Sequence, residues 1–247
     1  MKRTVFVVAL GAALLVAAVA LGQSRPIADV RLTTTDGVKI VGSYYPPSGA
    51  NAKAVILLHM LGRDRADWRH FARKAAVANI ACLAIDLRGH GQSIVGANNA
   101  NLAWKNFKDE KFLGMTSDVQ AAYDWLLKQK EIDPAHVGLV GASIGANIAA
   151  IYAADHPQQI RSVVLLSPGL AYHGVKPAAA VAKFPGKMLF YAAPGDDYAY
   201  DSVKQLAASA ADRSEVRELP GDAHGTQLFD KYPDTVDKIV AWLGENI

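Results

Sequence analysis

Three residue types that together perform nucleophilic acyl transfer occur in a suggestive chain order: Ser143, then Asp196 or Asp197, then His224. Ser143 stands in Gly141-Ala142-Ser143-Ile144-Gly145, a G-x-S-x-G pattern. An apolar run that reads as a buried strand precedes it, and an alanine-rich run that reads as a helix follows. Such a serine sits on a tight turn in strained geometry with its hydroxyl pointing outward. Gly141 and Gly145 are expected there because larger side chains would hold strand and helix apart. The free N–H groups at the helix start, that of Ile144 among them, can stabilise an oxyanion. The bare pattern also fits a glycine-rich turn whose serine only caps a helix. The flanking elements and the order of the partners favour the nucleophile.

A serine hydroxyl needs an adjacent general base. His224 lies in Pro220-Gly221-Asp222-Ala223-His224-Gly225, a short loop near the end of the chain, where small neighbours would let the imidazole approach Ser143. His59, His70, His90, His136, His156 and His173 read better as structural or surface residues, although His173 could border the site. An acid must orient the base, and it should follow the strand predicted at Met188 to Ala193. Asp196 and Asp197 both do so. A second oxyanion donor is expected from the loop His59-Met60-Leu61-Gly62, with the Leu61 N–H as first candidate and that of Met60 as the alternative.

The elements that must position these residues are legible as alternating runs. Asp36-Gly37 signals a hairpin between a strand at 28–33 and one at 38–45. Buried strands are predicted at 54–59, 80–86, 136–140, 160–166 and 187–193, and a last one at 216–219. Helices are predicted between them, one carrying Met115, Val119, Ala122 and Leu126 on a single face with Thr116 or Ser117 as cap. This alternation predicts an α/β fold, a mostly parallel sheet of about eight strands with helices on both faces. Ligands of such sheets bind at the carboxyl ends of the strands, which is where the candidate residues fall. The interval from Ser167 to Pro185 is too short for a separate lid domain. Tyr172 and His173 within it, and Trp104 and Phe107 in the loop 93–113, are candidate walls of a pocket.

Composition narrows the function classes. The 247 residues are 51% hydrophobic and 20% charged, as in a globular chain. The formal charge of +3 is spread among interspersed signs, as in Arg63-Asp64-Arg65-Ala66-Asp67, and gives no footprint for nucleic acid. The single cysteine, Cys82, cannot form an internal disulfide or a cysteine-based metal site. Lys2-Arg3, the apolar stretch Val5 to Leu21 and the small residues at its end predict a secretory signal over residues 1–22, leaving 23–247 as one domain. That stretch is also long enough to stay as an uncleaved membrane anchor. The sequence therefore predicts an exported protein, periplasmic or extracellular, with membrane association only through that segment. It leaves the oligomeric state open.

Together the motifs T-D-G-V-K-I, L-L-H-M-L-G, A-I-D-L-R-G-H-G-Q-S, G-A-S-I-G-A and G-D-A-H-G resemble the α/β-hydrolase superfamily over nearly all of residues 23–247. The resemblance is to its small, lid-poor serine esterases and lysophospholipase-like hydrolases, with dienelactone-hydrolase-like members nearby. In such relatives the acid stands three residues after a small residue ending its strand, with a tyrosine two and a serine six residues later. Ala193, Tyr198 and Ser202 match this for Asp196, so the resemblance implies Asp196 rather than Asp197. Two departures stand out. The usual His-Gly of the oxyanion loop is His59-Met60 here, and Ser143 replaces the cysteine nucleophile of dienelactone hydrolases. The expected activity is hydrolysis of small to medium carboxylic esters through a Ser-His-Asp acyl-enzyme, with no metal or organic cofactor. An aminopeptidase of the same fold would need an acidic cluster for a substrate amine, which is not visible in the sequence. An inactive binding protein would have no need of a complete triad.

Overall fold

The structure, a computed structural model, describes residues 27–247, so the predicted export signal lies outside the described residues. Eight strands form one sheet in the order β1-β2-β4-β3-β5-β6-β7-β8. They are β1 (Ala28–Thr33), β2 (Lys39–Tyr45), β3 (Ala52–Leu58), β4 (Ile80–Ile85), β5 (Ile132–Ala142), β6 (Ser162–Leu166), β7 (Lys187–Ala192) and β8 (Ser214–Glu218). The β1–β2 hairpin is antiparallel and forms one edge, turning at Gly37, whose φ of 83° suits glycine. From β4 to β8 all pairings are parallel.

The parallel strands are apolar without alternation because both faces are covered. Ala54, Ile56 and Leu58 of β3 pack into one core, while Val55 and Leu57 pack into the other. The first core takes the apolar faces of α3 (Thr116–Leu126), α4 (Ile144–Asp155) and α6 (Asp197–Ala208). The second takes α1 (Arg69–Val77) and α8 (Asp234–Asn246). Three further α-helices among the described residues are short: α2 (Asp109–Leu113), α5 (Ala178–Lys183) and α7 (Gln227–Lys231). Among the described residues no helix is long and apolar enough to cross a membrane.

Local departures from the sequence expectation have physical causes. Neither Thr116 nor Ser117 caps α3: the chain is already helical at Met115, and the Thr116 hydroxyl donates to the Leu113 carbonyl instead. Helix α6 begins at Asp197, directly after Asp196, with an exposed first turn. Strand β5 begins at Ile132 and passes through Pro134. The proline falls where the register with β3 shifts between Ala52 and Ala54, so no ladder bond is lost.

The motif D-L-R-G-H-G after β4 is a structural knot. The buried Arg88 donates to Asp36 Oδ2 in the hairpin (2.7 Å) and to Asp118 Oδ1 on α3 (2.9 Å). Asp86, fully buried, accepts from the Arg65 N–H at 2.8 Å and the Gln92 N–H at 2.8 Å, and pairs with the Arg65 guanidinium. It thereby ties the loop after β3 to the loop after β4.

Candidate active site

The turn at Ser143 follows from its two glycines. A Cβ on Gly145 would stand 2.4 Å from the Leu58 carbonyl oxygen and 2.6 Å from that of His59. On Gly141 it would stand 2.3 Å from the Gly145 oxygen. Only bare backbone lets α4 pack this close to β3 and β5. Ser143 itself takes φ 55° and ψ −122° at the start of α4. That conformation costs a non-glycine residue about 1–3 kcal/mol. It is held by the bond from its N–H to the Leu166 carbonyl at 2.8 Å, while its own carbonyl accepts from Ala146.

The loop after β3 lies beside this turn. His59 is fully buried; its Nδ1 donates to the Met60 carbonyl (2.7 Å) and its Nε2 accepts from the Leu87 N–H (3.0 Å). Burial lowers its pKa to about 4, so the ring is neutral at working pH and acts as a brace. Fixing the Met60 carbonyl fixes the plane of the peptide to Leu61, whose N–H points the opposite way. Neither the Leu61 nor the Ile144 N–H finds an acceptor among the described residues. The two expected oxyanion donors are thus free, and one lies at the N-terminus of α4.

The histidine and the acid meet. His224 Nδ1 lies 2.6 Å from Asp196 Oδ2; in the neutral imidazole that donates from Nδ1, the lone pair is on Nε2, the atom that can act as a base. Asp197 takes no part in this contact; it is exposed in the first turn of α6. The His224 loop is anchored toward Ser143: the Gly225 N–H donates to Ser167 Oγ at 2.9 Å. A Cβ on Gly225 would meet Met60 Sδ at 2.3 Å and the Ala142 side chain at 3.3 Å. The residue after the histidine therefore lies against the residue before the serine. Gly225 and Ala142 bring the two loops together at this corner, and among the described contacts no hydrogen bond joins the Ser143 hydroxyl to the His224 imidazole. In enzymes without substrate such bonds are often long and tighten on binding.

Four of the other histidines pack or bond within the fold, and His70 is exposed on α1. His90 stacks on Trp104 (5.4 Å between centroids), His136 bonds Asp133, and His156 stacks on Tyr152. His173 stacks on Phe112 at 4.4 Å and so joins the two wall loops. Trp104 lies close over Gly62 in the loop after β3, 3.3 Å from where a Cβ would be. Among the described residues no cluster of three or more His, Cys, Asp or Glu side chains could hold a metal ion.

Sequence reading missed what fastens the loop after β6. Asn147 on α4, fully buried, donates to the Gly169 and Val175 carbonyls (both 2.9 Å) and accepts from the Gly169 N–H. Ser202 Oγ accepts from the Leu170 N–H at 3.0 Å, and the Tyr198 hydroxyl bonds both the N–H and the carbonyl of Ala171. Tyr198 and Ser202, noted in the sequence only for their spacing from Asp196, thus hold the loop that carries Tyr172. An asparagine inside an otherwise apolar helix was the available signal for Asn147.

Comparison with known proteins agrees with this architecture. The family model described as alpha/beta hydrolase fold matches residues 53–215. An uncharacterised protein of Mycobacterium tuberculosis is 30% identical over 141 residues, covering 57% of this chain and 45% of that protein. The chain thus spans about half the length of the first curated relatives it matches. A monoacylglycerol lipase of Mycolicibacterium smegmatis is 29% identical over 213 residues, covering 85% of this chain and 69% of the lipase. The solved structure of the esterase Pf2001 from Pyrococcus furiosus superposes with a TM-score of 0.69 at 18% identity, covering 90% of this chain and 93% of that one. With its glycine-flanked serine turn, its eight-stranded sheet and a family match across most of that sheet, the chain belongs to the alpha/beta hydrolase fold family.

Proposed function

We propose that this protein is a serine esterase that hydrolyses carboxylic esters of small to medium acyl chains through an acyl-enzyme on Ser143. The observation that carries this reading is the bond from His224 Nδ1 to Asp196, in a loop packed against the residue preceding Ser143. In the proposed reaction Ser143 Oγ attacks the ester carbonyl and His224 Nε2 takes its proton. The N–H groups of Leu61 and Ile144 receive the developing oxyanion. The C–O bond to the alcohol breaks as His224 returns the proton to the leaving oxygen. Water then repeats the sequence and releases the acid. The basic and apolar start of the chain supports export, with N-terminal anchoring as the alternative.

A panel of p-nitrophenyl esters from acetate to decanoate, run beside a monoacylglycerol and aminoacyl p-nitroanilides, tests the reaction class. The relative named monoacylglycerol lipase makes the single-chain lipid ester a natural member of the set. Turnover of esters, peaking at short or medium chains, with no release from the anilides is expected. Faster turnover of the anilides would make the protein a peptidase instead.

A further inference from the structure

Tyr172 follows the strand on the opposite side of Ser143 from the loop that carries Leu61. Leu61 follows β3, which flanks β5 on one side; Tyr172 follows β6, which flanks it on the other. The Tyr172 ring lies edge-on to the His224 ring (6.3 Å, 89°) and to that of Tyr198 (5.6 Å). Its hydroxyl faces Ser143, and burial together with the nearby Asp196 charge holds its pKa above the ordinary phenol value, so it keeps its proton. The placement is built. Gly169 makes room for the ring, since a Cβ there would stand 2.6 Å from Tyr172 Cζ. Asn147, Ser202 and Tyr198 fix the backbone on either side. Its partners in the protein are the Ser143 hydroxyl, the nucleophile of the triad reading, and the Ser167 carbonyl, which at 3.4 Å lies beyond the usual range for a hydroxyl donor.

We infer that the Tyr172 hydroxyl is a further catalytic donor, which hydrogen-bonds the leaving alcohol oxygen during acylation and the attacking water during deacylation. This rests on the triad reading above. With the carbonyl oxygen held at Leu61 and Ile144, the leaving oxygen must turn toward His224, and there it meets Tyr172. Tyr172 keeps its own proton throughout. The proton that departs with the alcohol comes from Ser143 through His224, and Tyr172 stabilises the negative charge that builds on the oxygen before that proton arrives.

The test compares wild type, Tyr172→Phe and Ser143→Ala on p-nitrophenyl, phenyl and ethyl esters of one acid. A basic leaving oxygen gains most from a donor. Tyr172→Phe is therefore expected to lower kcat/KM for the ethyl ester roughly ten- to a hundredfold. The p-nitrophenyl ester, whose leaving group needs little help, should fall far less, so the dependence of rate on leaving-group pKa steepens. A purely structural role would lower all three esters by one factor. That result, or no change on any of them, overturns the inference while leaving the triad intact. Activity retained in Ser143→Ala would instead overturn the reading beneath it.

Discussion

Ser143→Ala is expected to lower kcat for p-nitrophenyl butyrate by about 10⁴-fold or more while leaving the melting temperature close to that of wild type. The side chain lost is one hydroxyl whose side-chain partner is the Tyr172 hydroxyl, while the bonds that hold this turn are made by backbone groups. The strain at φ 55° is set by the packing of Gly145 against the end of β3 and of Gly141 against the start of α4, and is shared by alanine. What disappears is the nucleophile. The free N–H groups of Leu61 and Ile144 remain and can still polarise a bound ester, so a small residual rate above water is expected. Steady-state kinetics with thermal melting checks both parts. A variant retaining more than a tenth of the activity would place the nucleophile elsewhere.

The second large effect belongs to the acid. Asp196→Asn is expected to cost roughly 10³- to 10⁴-fold in kcat at neutral pH. An amide at this position can donate to His224 Nδ1, and that favours the tautomer whose Nε2 carries the proton and cannot act as a base. It also removes the charge that would stabilise the imidazolium. Asp197→Asn should stay within about twofold of wild type, because its side chain lies in solvent at the first turn of α6. The pair is informative because the two carboxylates are adjacent and differ only in the direction they face. Comparable losses in both variants, or a larger loss at Asp197, would reassign the acid.

Much of this arrangement was legible in the residues, and what was not shares one property. The apolar runs that become β3 to β7 announce themselves because each is buried on both faces. Gly-Ala-Ser-Ile-Gly is readable because a tight turn between strand and helix imposes its composition locally. Asp196 needed the spacing to Tyr198 and Ser202 before it stood apart from Asp197. The structure gives that spacing a physical content: Tyr198 and Ser202 clamp the loop over the site. Contacts between distant segments left no local trace. Asn147 bonds groups 22 and 28 residues away, Ser167 bonds one 58 residues away, and the pair of Arg65 with Asp86 spans 21. Each is a polar side chain whose role depends on which strand end lies beside it. The short helices α2 and α5 escaped because they are too brief to show a period.

The most direct test of the central claim is to treat the purified protein with a fluorophosphonate and map the adduct by peptide mass spectrometry. Such a reagent phosphonylates a serine only where a base takes its proton and a donor pair receives the oxyanion. One adduct per chain, confined to the peptide containing Ser143 and lost in His224→Ala, is the result expected. A wild-type protein that stays unlabelled, or labels on a different serine, would contradict the account.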